Sequence, residues 1–441
     1  MKKVGFLWIG HADYLGETTA AIQREVISCA DGLPFIHAEV HPIATTDQEA
    51  AAAARALVET QDCCGAILVL TSWVECSVVM TALKELRGRP CMLWGFPVEE
   101  INGRMDSTGS YVSAAMFAGV VQRLGLPCPM LIASWKEPSA RAQLSSFSSA
   151  AAAVDALFYT KIGLFGYTSM SIYTGTFDHV LMRYKIGPEI EQMDTYSLLR
   201  AAEGVPAAEV DAALARLHAV ARVKADAAPE MLRRTMAMYA ALRRFCTEKG
   251  WAAVNLKCQY ELSKEYRAVP CVALSLLAED GITASCEGDI LNTVSMLLLH
   301  CLSGQVSWYG DALTHWDNTV QFSPCGFMPF SMAQGTPYVQ KFMEHPGFSG
   351  VQVCGVLRPE KVTYLRLVED IGTYHLLYGT GTGIETQPRG GCMPALNVTL
   401  DGSVKKLCQE YAGQHFALAY GDLTQELEQF AALTGIEARR V

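Results

Sequence analysis

The sequence predicts an α/β protein: two N-terminal α/β parallel-sheet (Rossmann-like) domains followed by a C-terminal, mainly antiparallel β-barrel domain. Three observations predict it. Short apolar runs alternate with helical stretches through most of the first 300 residues, the pattern of a parallel sheet covered by helices on both faces. After Asp311 the texture changes to glycine, proline and alternating residues, as in short antiparallel strands. And 441 residues, 50% hydrophobic and 18% charged, are too many for one ordinary core. The expected domains are 1–158, 159–303 carrying Glu287, and 304–441 carrying Asp311 and His415.

Taken in order, strands are expected at 4–9, 35–40, 65–70, 90–94 and 130–133, with helices at 20–28, 47–60 and 107–124 between them. Ligands on such sheets bind beyond the carboxyl ends of the strands, where His11, Trp73 and Phe96 fall. No GxGxxG follows the first strand, which argues against a dinucleotide site. A helix rich in Ala and Ser, 137–157, leads to a second set of strands at 161–165, 189–193 and 251–256. Helices at 197–203, 207–223, 229–249 and 270–278 accompany them, and the loop 166–170 is free to touch a ligand. The last third is expected to carry strands at 351–357, 362–368, 374–378, 396–400 and 415–420, then a closing helix at 423–433. Gly379-Thr380-Gly381-Thr382-Gly383 reads as a turn between them.

Bulk properties narrow the function. Net charge is -10 with no basic run, which excludes a phosphate-tracking, nucleic-acid-binding surface. No apolar stretch reaches membrane-spanning length. Met1-Lys2-Lys3 runs straight into a strand without a cleavage site, unlike a signal peptide. The 15 cysteines are scattered, with Cys63-Cys64 the one close pair and no CxxC. That pattern suits buried reduced thiols in the cytoplasm rather than a zinc site or a disulfide scaffold.

The stretch with the most chemistry is Cys286-Glu287-Gly288-Asp289. It opens an apolar helix that Gly304 ends, and a strand-like run at 306–309 then delivers Gly310-Asp311. Two carboxylates converging at strand ends can hold a divalent cation or pass protons. Glu287 and Asp289 can equally be simple caps, where the helix dipole favours negative charge. Among the histidines, His300 reads as core, and His179, His218 and His345 as surface. His315 is a candidate for the outer layer of a site around Asp311, and His415 opens a strand and is a candidate ligand. No GxSxG elbow and no P-loop occurs. Arg389-Gly390-Gly391-Cys392 reads either as an anion-holding loop or as a hairpin tip.

Several strings resemble L-fucose isomerase and, more distantly, L-arabinose isomerase, nearly end to end. The strongest is Glu287-Gly288-Asp289-Ile290-Leu291-Asn292 through Met296, then Leu302-Ser303-Gly304 and Asp311. Ala412-Gly413-Gln414-His415 matches a small-residue turn before a C-terminal histidine. Trp73, Leu93-Trp94-Gly95-Phe96, Ser169-Met170 and Phe177-Asp178-His179 match further segments. The resemblance implies a metal-dependent aldose–ketose isomerase working through a cis-enediolate. Glu287 and Asp311 would be catalytic carboxylates and, with His415, the ligands of Mn²⁺ or another divalent cation. Trp73, Met170, Lys257, Gln259 and Arg389 would meet the sugar, although Lys257 stands where the family has a glutamine. Arabinose isomerases use a histidine as fourth ligand; Pro324-Cys325 stands near that place in this chain, so three ligands are expected. The resemblance also implies a homo-oligomer, a hexamer or trimer, with the active site at a subunit interface and Trp73 acting in trans. Two alternatives stand beside an unmodified sugar as substrate. One is isomerisation of an anionic hexose, such as the sulfonated sulfoquinovose, met by Lys257 or Arg389. The other is a non-catalytic sugar-binding protein on the same scaffold.

Overall fold

The computed structural model describes residues 2–59, 63–86, 88–101, 103–343, 347–388, 390 and 393–441. His345, Arg389 and Cys392 lie outside the described residues. The chain forms two units, residues 1–156 with 425–436, and residues 157–424 with 437–441.

The first unit is built on a five-stranded parallel sheet in the order Ile36–His37, Lys3–Ile9, Cys63–Leu70, Cys91–Gly95, Met130–Ile132. Every residue of Cys63–Leu70 is buried, which is why that strand is one unbroken apolar run rather than an alternating one. Helices Glu17–Ala30, Asp47–Glu59, Cys76–Glu85, Ser110–Leu124 and Pro138–Tyr159 follow strands or join them. Two expectations need adjusting. The second strand pairs over only two residues, not six, and Cys76–Glu85 is a helix that the sequence pattern did not announce.

The second unit holds a four-stranded parallel sheet, Thr283–Cys286, Trp251–Leu256, Lys161–Phe165, Glu189–Met193. It also holds a closed barrel of six antiparallel strands. Their order is Lys361–Asp370, His415–Tyr420, Trp308–Trp316, Thr319–Ser323, Leu396–Leu400, Thr373–Ile384, with the last pairing back onto the first. The α/β sheets and the antiparallel barrel agree with the fold class read from the sequence. The Gly379–Gly383 segment is not a turn: it lies inside the twelve-residue strand Thr373–Ile384. Its glycines answer a close approach, since a Cβ on Gly379 would sit 2.2 Å from the Tyr364 hydroxyl and one on Gly381 2.5 Å from Val398. Helix Ile290–Ser303 is buried along nearly its whole length and lies against the barrel strands Lys361–Asp370 and His415–Tyr420. Its amino end is thereby brought to the start of His415–Tyr420. Among the described residues, no helix is long and apolar enough to cross a membrane.

Candidate active site

Strand Thr283–Cys286 ends the parallel sheet, and the chain turns at once into helix Ile290–Ser303. The turn is tight. Glu287 and Gly288 both have positive φ, 67° and 69°. A Cβ on Gly288 would lie 2.4 Å from the Tyr167 carbonyl oxygen, so glycine is required there. The 166–170 loop packs onto this turn, with Ser169 N–H donating to the Glu287 carbonyl at 2.8 Å. A non-glycine residue in the left-handed region is uncommon, and at this turn it carries the carboxylate.

The other two groups come from the barrel. Asp311 and His415 face each other across neighbouring antiparallel strands, as a direct Cα pair of the ladder. The structure brings Glu287, Asp311 and His415 together: His415 Nε2 lies 3.4 Å from Glu287 Oε2 and 3.6 Å from Asp311 Oδ1. The opposite ring nitrogen, Nδ1, is 2.9 Å from Asp289 Oδ2. Asp289 is the helix N-cap, accepting from Asn292 N–H at 2.9 Å, so the capping role allowed for it is real. It has a second role that no sequence signal announced, as the partner of both His415 and Arg366.

Electrostatics follow from this crowding. Burial works against the charged form of Asp289, yet Arg366 and His415 outweigh it and hold the carboxyl well below the usual carboxylate range. Burial alone would favour a neutral His415 ring. The hydrogen bonds to Asp289 and Glu287 and the charge of Asp311 push it well above its ordinary value instead.

Beside Glu287 lies a narrow cavity of about 20 Å³ lined by Cys258, Gln259, Cys271, Cys286, Tyr309 and Cys325 together with Phe327, Phe342 and Phe348. Gln259 donates to Glu287 Oε1 at 3.2 Å, and its own Oε1 is buried with no hydrogen-bond partner among the described residues. Cys286 Sγ is 2.9 Å from the Tyr309 hydroxyl. Burial and the charge of Glu287 push the Cys325 thiol well up.

The other residues singled out from the sequence fall as follows. Lys257 is buried, 2.8 Å from Glu261 Oε1 and 2.7 Å from the Tyr167 hydroxyl, so its charge already has a counter-ion. Met170 is exposed, with φ 49°, in the loop that packs on the Glu287 turn. Trp73 belongs to the first unit, where its ring centre lies 5.5 Å from that of His11. Phe96 is buried against Trp135. His315 is exposed, four residues along the strand from Asp311, and takes no part in the cluster. His300 is only half-buried, because its Nδ1 reaches the Gln305 carbonyl at 2.7 Å where the helix ends.

The donor set suits a divalent cation: two carboxylates and an imidazole whose far nitrogen is held by an acid, the usual support of a metal-bound histidine. Among the described residues no three His, Cys, Asp or Glu side chains already enclose an ion position. Both carboxylates lie close to one nitrogen of the His415 ring. The fit is therefore one of chemistry and proximity.

No family profile matches the chain. It is similar to the sulfoquinovose isomerase of Alkalicoccus urumqiensis, 23% identical over 354 residues that cover 78% of this chain and 79% of that protein. The sulfoquinovose isomerase of Priestia aryabhattai is 22% identical over 366 residues, 82% of each chain. The L-arabinose isomerase of Aeromonas hydrophila subsp. hydrophila is 23% identical over 270 residues, 58% of this chain and 53% of that protein. These similarities support a sugar isomerase of the fucose/arabinose-isomerase-like kind. In this sugar isomerase, the strand–turn–helix that carries Glu287 and the barrel strands that carry Asp311 and His415 meet in one cluster.

Proposed function

We propose that this sugar isomerase is a divalent-metal-dependent aldose–ketose isomerase acting on an open-chain sugar through a cis-enediolate. The observation that carries the reading is the approach of Glu287 and Asp311 to one nitrogen of a histidine whose other nitrogen is tied to Asp289. Aldose–ketose conversion moves a proton between C1 and C2. One of the two carboxylates takes the proton from carbon and returns it to the neighbouring carbon; the other handles the hydroxyl proton on the opposite side. Glu287, Asp311 and His415 would hold the cation, Mn²⁺ or another divalent ion. When bound, the ion supplies Lewis-acid polarisation of the adjacent sugar oxygens. Gln259 orients the Glu287 carboxylate and offers its free Oε1 to a sugar hydroxyl. Reduced thiols beside the site, Cys258, Cys271, Cys286 and Cys325, suit a cytoplasmic setting.

A second reading is supported by the relatives. Those spanning about four fifths of the chain are named sulfoquinovose isomerases, which favours an anionic hexose met by Arg389, or by Lys257 once it exchanges its Glu261 partner for the anion. The resemblance to fucose isomerases extends the proposal to a homo-oligomer, a hexamer or trimer, in which Trp73 closes a neighbour's site.

The test is a panel of neutral aldoses and sulfonated and phosphorylated hexoses with added Mn²⁺, read by ketose formation, alongside metal analysis of the purified protein. Turnover of any member supports isomerisation, and the preferred class selects between the two readings. A protein that takes up no divalent ion and converts no member would end the proposal.

A further inference from the structure

Arg366 is fully buried in the middle of barrel strand Lys361–Asp370. No local pattern accounts for it, since its neighbours Leu365 and Leu367 are also fully buried. Its guanidinium spends its donors on three separate segments. Nη1 donates to Asp289 Oδ2 at 3.1 Å and to the His415 carbonyl at 2.9 Å. Nε donates to the Ala412 carbonyl at 3.2 Å, and Nη2 to the Thr174 carbonyl. The next residue, Leu367, donates its backbone N–H to the Ser295 hydroxyl of helix Ile290–Ser303 at 2.7 Å. Gly413 explains the small-residue turn before His415: a Cβ there would lie 2.4 Å from the Arg366 Cζ.

The charges around the cluster are three carboxylates, Glu287, Asp289 and Asp311, against one guanidinium and the His415 ring. Arg366 cancels Asp289. That leaves two negative charges, Glu287 and Asp311, matched to a divalent cation, and it keeps Asp289 as an acceptor for His415 Nδ1–H. His415 Nε2 then faces the two carboxylates. Without Arg366, Asp289 is a buried acid with its main counter-charge gone, and the turn before His415 loses its anchor. The ring is then no longer held with Nε2 toward Glu287 and Asp311.

We propose that Arg366 is a positioning residue of this sugar isomerase: by pairing with Asp289 and gripping the backbone at His415, Ala412 and Thr174, it sets His415 as a cation ligand. This inference rests on the metal-dependent reading under Proposed function. It adds that the ligand set is tuned by a residue that touches neither ion nor sugar.

The test is calorimetric titration of the full chain with Mn²⁺, for wild type, Arg366→Met and Arg366→Lys, with steady-state kinetics on the best sugar of the panel. Arg366→Met is expected to weaken Mn²⁺ binding by ~10–100-fold, the usual loss for an outer partner of a metal ligand. At saturating Mn²⁺ the remaining loss falls on kcat and the sugar KM stays close to wild type. Arg366→Lys, which keeps the charge, recovers most of the affinity. If Arg366→Met does not fold, Gly413→Ala serves instead, because it displaces the guanidinium and removes no charge; the same loss of Mn²⁺ affinity is expected. A folded Arg366→Met or Gly413→Ala protein that binds Mn²⁺ as wild type does, with only a lower melting temperature, overturns the proposal. Wild-type protein that binds no Mn²⁺ overturns the metal reading itself, a result distinct from an unchanged variant.

Discussion

His415 Nδ1 lies 2.9 Å from Asp289 Oδ2, and this contact turns the opposite nitrogen toward Glu287 and Asp311. The two residues are 126 positions apart in sequence. One caps a helix and the other opens a barrel strand, so the contact joins the α/β and barrel parts of the second unit at the point where the chemistry is proposed.

The carboxylates come first. Glu287→Gln and Asp311→Asn keep the size of each side chain and remove its capacity to take a proton. Each is expected to lower kcat by ~10²–10⁴ while the protein stays folded, as read by ketose formation and circular dichroism. Near-wild-type turnover by either variant would remove that residue from the proton path.

Metal removal is the second. Dialysis against a chelator is expected to abolish isomerisation, and Mn²⁺ to restore it. Binding to the folded state alone should also stabilise it, by ~2.7 kcal/mol at a hundredfold excess over Kd. The check is a melting temperature that rises with Mn²⁺ concentration in wild type and much less in His415→Ala.

The turn that presents Glu287 makes a third. Gly288 has φ 69°, and its missing Cβ leaves space taken by the Tyr167 carbonyl and the Thr168 backbone. Gly288→Ala combines left-handed strain with a clash against backbone. A loss of ~3 kcal/mol or more in urea unfolding is expected, with activity falling as the 166–170 loop is pushed away. An alanine variant of full stability would mean that the turn relaxes freely.

The thiols beside the site give a fourth. Hydrogen bonding to Cys286 and burial push the Cys258 thiol up, and burial together with nearby negative charge does the same for Cys271 and Cys325. Thiolates are the reactive form, so these cysteines should resist alkylation at neutral pH. Iodoacetamide followed by peptide mass spectrometry is expected to label these three far more slowly in the folded protein than after unfolding in urea. Equal labelling rates would contradict the electrostatic picture.

Much of this protein was legible from local pattern alone. Unbroken apolar runs such as 65–70 announce a strand of a helix-covered parallel sheet, and the Glu287-Gly288-Asp289 stretch before an apolar run announces a helix start with acids at its mouth. Such signals depend on neighbours within a few residues, which the sequence states directly. Other features depend on residues far along the chain. The glycines of Gly379–Gly383 read as a turn because glycine usually marks one, whereas in the fold they make room for Tyr364 and Val398 on neighbouring strands. Strands Thr319–Ser323, Tyr338–Lys341 and Glu437–Arg440 are short and lack a strong alternating pattern, and they are strands because partners pair with them. Arg366 carries no local cue to its role, which depends on Asp289 and the His415 carbonyl around it. The sequence by itself determined the fold class and the residue types available to the site. Only the tertiary structure decided that Asp311 pairs across the ladder with His415 and that Asp289 serves as both cap and histidine partner. Strand register and buried charge pairing are set by contacts between distant segments, and no local periodicity encodes those.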